Sequence, residues 1–134
     1  MELSEIEKLT SYLQSLFGDR ELAVLSHPED DDRALVAKGQ NFFARIDRDE
    51  DEGELSYSFA KDIPDQPHDE LVEHFADLFG GQKIDVRKRA NKTDSTEIYK
   101  GEEFLGVLYD DEGSEEGMQV FNMAILDIDL DGVE

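Results

Sequence analysis

Closely spaced aspartates near the carboxyl end form the motif most suggestive of metal chemistry. Asp127, Asp129, Asp131 and Gly132 match D-x-D-x-D-G, the opening of a calcium-binding loop. Such a loop follows a helix and ends in a bidentate carboxylate at its twelfth position. Residues 121–126 instead alternate like a strand, and the motif reaches only Glu134. We therefore expect a solvated acidic segment, and weak binding of a divalent cation there stays open.

Other residue types that serve catalysis or metal binding are sparse. The three histidines, His27, His68 and His74, do not stand at metal-ligand spacing from one another, and the sequence has no cysteine. Gly80-Gly81 lacks the lysine and the spacing of a phosphate-binding loop. The abundant carboxylates lie in polar runs, whereas acid-base catalysis needs one in a dehydrated pocket. The sequence predicts no cofactor, no metal site and no enzyme activity.

The charge is strongly acidic, with 35 Asp and Glu, 13 Lys and Arg, and a formal net charge of -22. Self-repulsion of this size favours solubility and opposes binding to nucleic acid or to anionic membranes. The N-terminus has no basic and apolar leader, and no apolar run is long enough for a membrane span. A cytoplasmic protein is expected.

A cluster of cations stands out from this acidity. Most of the basic residues after residue 66 lie between Lys83 and Lys92, on a predicted strand and the turn that follows it. They could neutralise neighbouring carboxylates such as Glu97 across the hairpin. Alternatively, they form a docking patch for an acidic partner, because complementary charge orients and speeds association.

The elements that carry these residues occur twice. Leu78-Phe79-Gly80 repeats Leu16-Phe17-Gly18 after a shift of 62 residues (from 18 to 80), and the same shift aligns Phe42 with Phe104. Such self-similarity indicates a duplicated unit. We predict an α+β fold of two tandem repeats, residues 1–64 and 65–134, each a helix followed by a four-stranded antiparallel meander. The repeats are expected to pack as one compact domain about a pseudo-twofold axis.

Local signals place the elements of each repeat. Ser4 and Glu7 predict a capping box and a helix over residues 5–17, ended by Gly18. Residues 47–53 read as an acidic loop between the third and fourth strands. The paired helix ends and third strands are predicted to supply four deeply buried rings, those of Phe17, Phe42, Phe79 and Phe104.

The third strand of repeat two, residues 104–109, is apolar on both faces, as expected of a strand covered on both sides. Its second face would meet either repeat one or another protein. Repeat one has Arg45 and Asp47 where repeat two has Val107 and Tyr109. We therefore predict that a partner binds repeat two through its cationic strand and the outer residues of its third strand: Arg87, Lys88, Arg89, Leu105, Val107 and Tyr109.

Residues 93–108 and 121–130 of repeat two resemble a small uncharacterised bacterial family that is about one repeat long. Repeat one matches it in its helix, in Leu16-Phe17-Gly18 and in residues 53–59, but departs from it over residues 33–46. The resemblance implies a tandem form of the family's unit. It implies no activity, because none is established for that family.

Three functional hypotheses follow. The first is a non-enzymatic acidic module for protein-protein interaction, acting as a monomer with an internal pseudo-dimer or as a weak homodimer. The second is a nucleic-acid mimic that inhibits a nucleic-acid-binding protein, although its carboxylates cluster in turns instead of forming spaced rows. The third attributes the acidity to adaptation to high salt and leaves the function unknown. The first is favoured because the sequence carries no recognisable chemistry.

Overall fold

The structure is a computed structural model that describes residues 2–88, 95–109, 117–126 and 130. It contains helices α1 (Leu3–Phe17) and α2 (His68–Leu78). Its strands are β1 (Leu22–Ser26), β2 (Arg33–Lys38), β3 (Asn41–Asp51), β4 (Glu54–Pro64), β5 (Asp85–Lys88), β6 (Ser95–Lys100), β7 (Glu103–Tyr109) and β8 (Met118–Leu126). Neighbouring strands pair antiparallel, which confirms the predicted α+β class. Within the described residues, neither helix is long and apolar enough to cross a membrane.

The chain divides into two compact units. Unit 1 comprises Met1–Ala60 with Ala124–Glu134, and unit 2 comprises Lys61–Met123. Consecutive strands are neighbours in the order β1-β2-β3-β4 and again in the order β5-β6-β7-β8. We call the sheet face that packs on the unit's own helix the inner face, and the opposite face the outer face. The repeat boundary at residue 64 and the packing of the repeats about a pseudo-twofold axis stay predictions.

The start of α1 differs from the prediction. The helix begins at Leu3, and Glu5 Oε1 accepts a hydrogen bond from the Glu2 N–H at 3.2 Å. Glu2 and Glu5 therefore have the three-residue spacing of a capping box, and the predicted cap at Ser4 is wrong. The C-terminal end agrees with the prediction, because Gly18 adopts the left-handed conformation at φ 61°.

The predicted acidic loop over residues 47–53 is mostly strand. β3 continues to Asp51 and β4 begins at Glu54, so only Glu52 and Gly53 form the turn. Their φ angles are 51° and 83°. Positive φ at both central residues is the type I′ geometry, whose twist matches that of the flanking strands and allows them to pair up to the turn.

A β-bulge in β3 reverses the expected orientation of one aromatic side chain. The pairing register shifts between Val36 and Ala37, which leaves Phe43 as the extra residue. A bulge can place two consecutive side chains on one face. The Phe43 ring accordingly packs edge-on against Phe17, with centroids 5.7 Å apart. Phe42 instead lies on the outer face and is 63% exposed, so its predicted burial is wrong.

The same bulge recurs in β7. The register shifts between Ile98 and Tyr99, which makes Leu105 the extra residue and turns it inward. Leu105 is buried, and Phe104 is 50% exposed on the outer face. The predicted burial of Phe104 is also wrong, for the reason that applies to Phe42.

The predicted helix-end aromatics do lie in the core. Phe17 and Phe79 are almost completely buried. Phe17 contacts Phe59, with ring centroids 5.6 Å apart. In unit 2, Phe121 on β8 contacts both Phe75 at 5.2 Å and Phe79 at 6.3 Å. Each unit therefore joins its helix to its fourth strand through aromatic rings.

Candidate protein-interaction site

An arginine and two aromatic rings lie side by side on the outer face of unit 2. The Arg87 guanidinium carbon is 4.2 Å from the centroid of the Tyr99 ring, within cation-π range. The ring of Phe104 meets Tyr99 edge-on, with centroids 5.4 Å apart. We call this set the Arg87-Tyr99-Phe104 surface.

Strand alternation and pairing explain this arrangement. The neighbouring residues Val86 and Ile98 are buried on the inner face, so Arg87 and Tyr99 point outward. Val86 pairs with Ile98, and Arg87 therefore lies diagonally across from Tyr99. Long and aromatic side chains can make contact over this diagonal separation.

Polar contacts hold Arg87 in place without burying it. Its Nη2 donates to Asp85 Oδ2 at 3.4 Å and to the Gly101 carbonyl at 3.3 Å, while its side chain is 50% exposed. The Tyr99 hydroxyl donates to Glu97 Oε1 at 3.3 Å. Glu97 is the residue paired with Arg87 in the β5-β6 register, and Asp85, on the same strand as Arg87, forms an ion pair with the guanidinium. An exposed ion pair of this kind contributes little stability, and the guanidinium remains accessible.

The other predicted site residues are only partly brought together. Val107 and Tyr109 are half-buried and lie on the outer face of β7, because they alternate with the buried Leu108. Leu105 is not on that face, since the bulge turns it into the core, so its predicted outward position is wrong. Lys88 is the last residue of β5, and Arg89 lies outside the described residues.

Exposed apolar side chains are not confined to repeat two. At the positions that match Arg87 and Phe104, unit 1 carries Leu25 and Phe42, which are 51% and 63% exposed. Repeat one therefore also exposes apolar side chains, although Arg45 and Asp47 stand at the positions that match Val107 and Tyr109. It does lack the cation and the aromatic partner of that cation, because Ala37 stands at the position of Tyr99.

A polar network on unit 1 was not predicted. The Tyr57 hydroxyl donates to Glu5 Oε2 at 2.6 Å, and Arg48 Nε donates to the same oxygen at 3.0 Å. Arg48 also reaches Glu50 at 3.3 Å and Asp32 at 3.5 Å. We call Glu5, Arg48 and Tyr57 the Glu5 network. Arg48 and Tyr57 are paired across the β3-β4 hairpin, whereas Glu5 lies 43 residues before Arg48, and no spacing in the sequence links it to the two strands.

The electrostatics of the Glu5 network favour a structural role. Burial would raise the pKa of Glu5, but hydrogen bonds from Tyr57 and the Glu2 N–H, together with Arg48, lower its pKa from the usual 4.5. Burial and the adjacent Glu5 carboxylate raise the pKa of Tyr57. A general base works best with a pKa near the working pH, and the pKa of Glu5 moves in the opposite direction. The network instead fixes the start of α1 against β3 and β4.

Metal-ligating groups give no site in the part of the chain that is described. No group of three or more His, Cys, Asp or Glu there is arranged to hold a metal ion. His74 lies on α2, where burial and the nearby Lys61 lower its pKa. The aspartate motif of residues 127, 129 and 131 lies outside the described residues, so weak cation binding there stays untested.

Comparison with known proteins identifies the repeated unit. A family described as a protein of unknown function, DUF3126, matches residues 5–66 and matches again over residues 69–129. No curated protein and no solved structure matches the chain.

Proposed function

The chain belongs to the DUF3126 family and carries its unit twice, and we propose that it is a non-enzymatic module that binds an acidic protein. The observation that carries this proposal is the Arg87-Tyr99-Phe104 surface. Arginine and aromatic residues dominate the energetics of protein interfaces. Here they form one exposed patch in which the arginine is already oriented by its contacts.

The positive charge around Arg87 favours an acidic partner. Against a net charge of -22, Arg87 and the adjacent Lys88 form part of a concentration of cations on β5 and the residues after it. A basic partner would be attracted to most of this protein, whereas an acidic partner finds complementary charge chiefly here. At physiological ionic strength, screening over about 8 Å limits repulsion from the distant carboxylates. Val107 and Tyr109, on the same outer face, extend the proposed interface.

Matched substitutions on the two outer faces test this proposal. Bound proteins are recovered from native extract at moderate salt with the wild-type chain and with the variants Phe104→Ser, Arg87→Glu and Phe42→Ser. We expect Phe104→Ser and Arg87→Glu each to reduce recovery of an acidic protein at least tenfold. Phe42→Ser removes a ring from unit 1 that is more exposed than Phe104 and should leave recovery within twofold of the wild type.

The melting temperature of each variant serves as the control for correct folding. All three substituted side chains are at least half exposed, so the melting temperature should change little. Equal recovery with the folded Phe104→Ser and Arg87→Glu variants would contradict the proposed surface. Equal loss with Phe42→Ser would show that the interaction does not depend on the features particular to unit 2.

A further inference from the structure

The two units differ in how the helix meets the edge strand. In unit 1, Thr10 Oγ1 accepts a hydrogen bond from the Val24 N–H at 3.0 Å. Gln14 Nε2 donates to the Leu22 carbonyl at 2.9 Å. α1 therefore satisfies a backbone donor and a backbone acceptor on the open side of β1. We call the boundary between a helix and its edge strand the seam, and a seam bridged by such hydrogen bonds a closed seam.

Unit 2 cannot form the matching hydrogen bonds between its helix and its edge strand. The positions that match Thr10 and Gln14 are Val72 and Ala76, whose side chains have no hydrogen-bonding group. Val86 pairs with Ile98 as Val24 pairs with Val36. The outward edge of β5 therefore presents its backbone to α2 without a polar side chain at either matching position.

A cleft lies along this seam. Its volume is about 520 Å³, and Val72, Ala76, Ile84 and Val86 are among the residues that line it. This volume is in the range of sites that bind small ligands or side chains. The Val24 N–H in unit 1 points away from β2 toward Thr10. By the same antiparallel register, the Val86 N–H points away from β6 and into the cleft.

We propose that the cleft between α2 and β5 binds an extended acidic peptide segment of the partner protein, which adds a strand to the edge of unit 2. Backbone hydrogen bonds to Val86 would supply affinity, as in other cases of strand addition. Val72 and Ala76 provide an apolar floor for alternate side chains of the peptide. Lys83, Asp85 and Arg87 are also among the described residues that line the cleft, and Arg87 contacts Asp85. Lys83 in the lining, with the Arg87 guanidinium on the adjacent outer face, favours a peptide that bears Asp or Glu.

The inference rests on the proposed function and adds a second contact to it. Arg87 belongs both to the Arg87-Tyr99-Phe104 surface and to the cleft. One partner could therefore place an extended acidic segment in the cleft and fold over the outer face. The two contacts can be separated by substitution, because Phe104 lines only the surface and Val72 only the cleft.

The test uses the full chain and a displayed library of random nine-residue peptides at physiological salt. We expect enrichment of peptides that contain Asp or Glu between apolar residues. The double variant Val72→Thr with Ala76→Gln copies the polar residues of unit 1 and should weaken binding of an enriched peptide at least tenfold. The matched double variant Thr10→Val with Gln14→Ala alters the other seam and should stay within twofold of the wild type.

A direct readout does not depend on these variants folding. Amide hydrogen exchange of Val86 in the wild-type chain should slow at least tenfold when the enriched peptide binds. The proposal is overturned by a library without enrichment, by enrichment of lysine-rich peptides, by unchanged exchange at Val86, or by full binding to a folded closed-seam variant. If peptide binding fails while Phe104→Ser still abolishes partner recovery, the cleft is wrong and the outer-face function stands. If the peptide binds while the Phe104→Ser variant recovers as much partner as the wild type, the outer-face function is wrong and the cleft stands.

Discussion

Unit 1 attaches its helix through polar contacts in addition to the aromatic packing that both units share. Thr10 and Gln14 bond to the backbone of β1, and Glu5 joins Arg48 and Tyr57. Repeat two has Val72 and Ala76 at the first two positions and Pro67 and Gln119 where Glu5 and Tyr57 would be. The aromatic contact is common to both units, since Phe17 packs on Phe59 in unit 1 as Phe75 and Phe79 pack on Phe121 in unit 2.

This contrast shows how a duplicated unit can keep one fold while one copy changes its surface. Threonine and valine have nearly the same shape, so exchanging Thr10 for Val72 alters hydrogen bonding far more than packing. The change leaves the meander and the core in place. It removes from unit 2 the side chains that bond to the open side of the edge strand in unit 1, and an uncovered strand edge is a template for pairing with another chain.

The largest expected effects concern aromatic residues of the core. Phe17→Ala and Phe79→Ala should each lower the free energy of unfolding by about 3 to 5 kcal/mol, because each leaves a cavity among packed rings. Phe42→Ala and Phe104→Ala remove exposed rings and should change it by about 0.5 kcal/mol or less. Urea denaturation monitored by circular dichroism measures all four. A loss above about 2 kcal/mol for Phe42→Ala would contradict the bulge that turns this ring outward.

The sequence predicts the repeated architecture because the signals for it are local. Apolar periodicity and the shift of 62 residues (from 18 to 80) indicate two helices, each followed by strands, and Gly18 marks the C-terminal end of α1. The bulges could not be predicted, because an extra residue depends on the register with a neighbouring strand. In β3, one extra residue turned Phe42 to the outer face, where the sequence had predicted burial, and turned Phe43 inward.

The candidate site was predicted only in part. Arg87 was identified from the concentration of charge, but Tyr99, which it contacts, and Phe104, which contacts Tyr99, come from two other strands. The outward position of Phe104 also depends on the bulge in β7. The seam was also missed, although the substitutions that open it are visible in the sequence. Their meaning depends on knowing that Thr10 lies beside the edge of β1, which the sequence alone does not reveal.

The close approach of β7 and β8 at Gly106 predicts a smaller loss of stability than the core substitutions. A Cβ added to Gly106 would lie 2.4 Å from the Asn122 carbonyl oxygen and 2.8 Å from a ring carbon of Phe121. Gly106→Ala should therefore reduce the free energy of unfolding by about 1 to 3 kcal/mol. The matched position in unit 1 is Ala44, which accommodates a Cβ, and Ala44→Gly should cost about 1 kcal/mol. A neutral Gly106→Ala variant in the same denaturation assay would contradict this tight contact.

The smallest expected effect tests the polar attachment in unit 1. Tyr57→Phe removes the 2.6 Å hydrogen bond to Glu5 and should lower the free energy of unfolding by about 1 to 2 kcal/mol at neutral pH. Tyr99→Phe provides the control, because its hydroxyl lies on the outer face and bonds to Glu97 at a longer 3.3 Å. That variant should lose about 0.5 kcal/mol or less.

The pH dependence of Tyr57→Phe distinguishes loss of this hydrogen bond from a general loss of packing. Because the pKa of Glu5 is lowered in the folded chain, its contribution is present above pH 4.5 and is lost as the pH falls through the folded value. Protonated Glu5 no longer offers the charged acceptor that Tyr57 stabilises. The stability difference between wild type and Tyr57→Phe should therefore shrink as the pH is lowered below 4.5. The other carboxylates titrate in both wild type and variant, so their effect on the free energy of unfolding cancels in the difference. A difference for Tyr57→Phe that does not change with pH would mean that the substitution acts through packing alone.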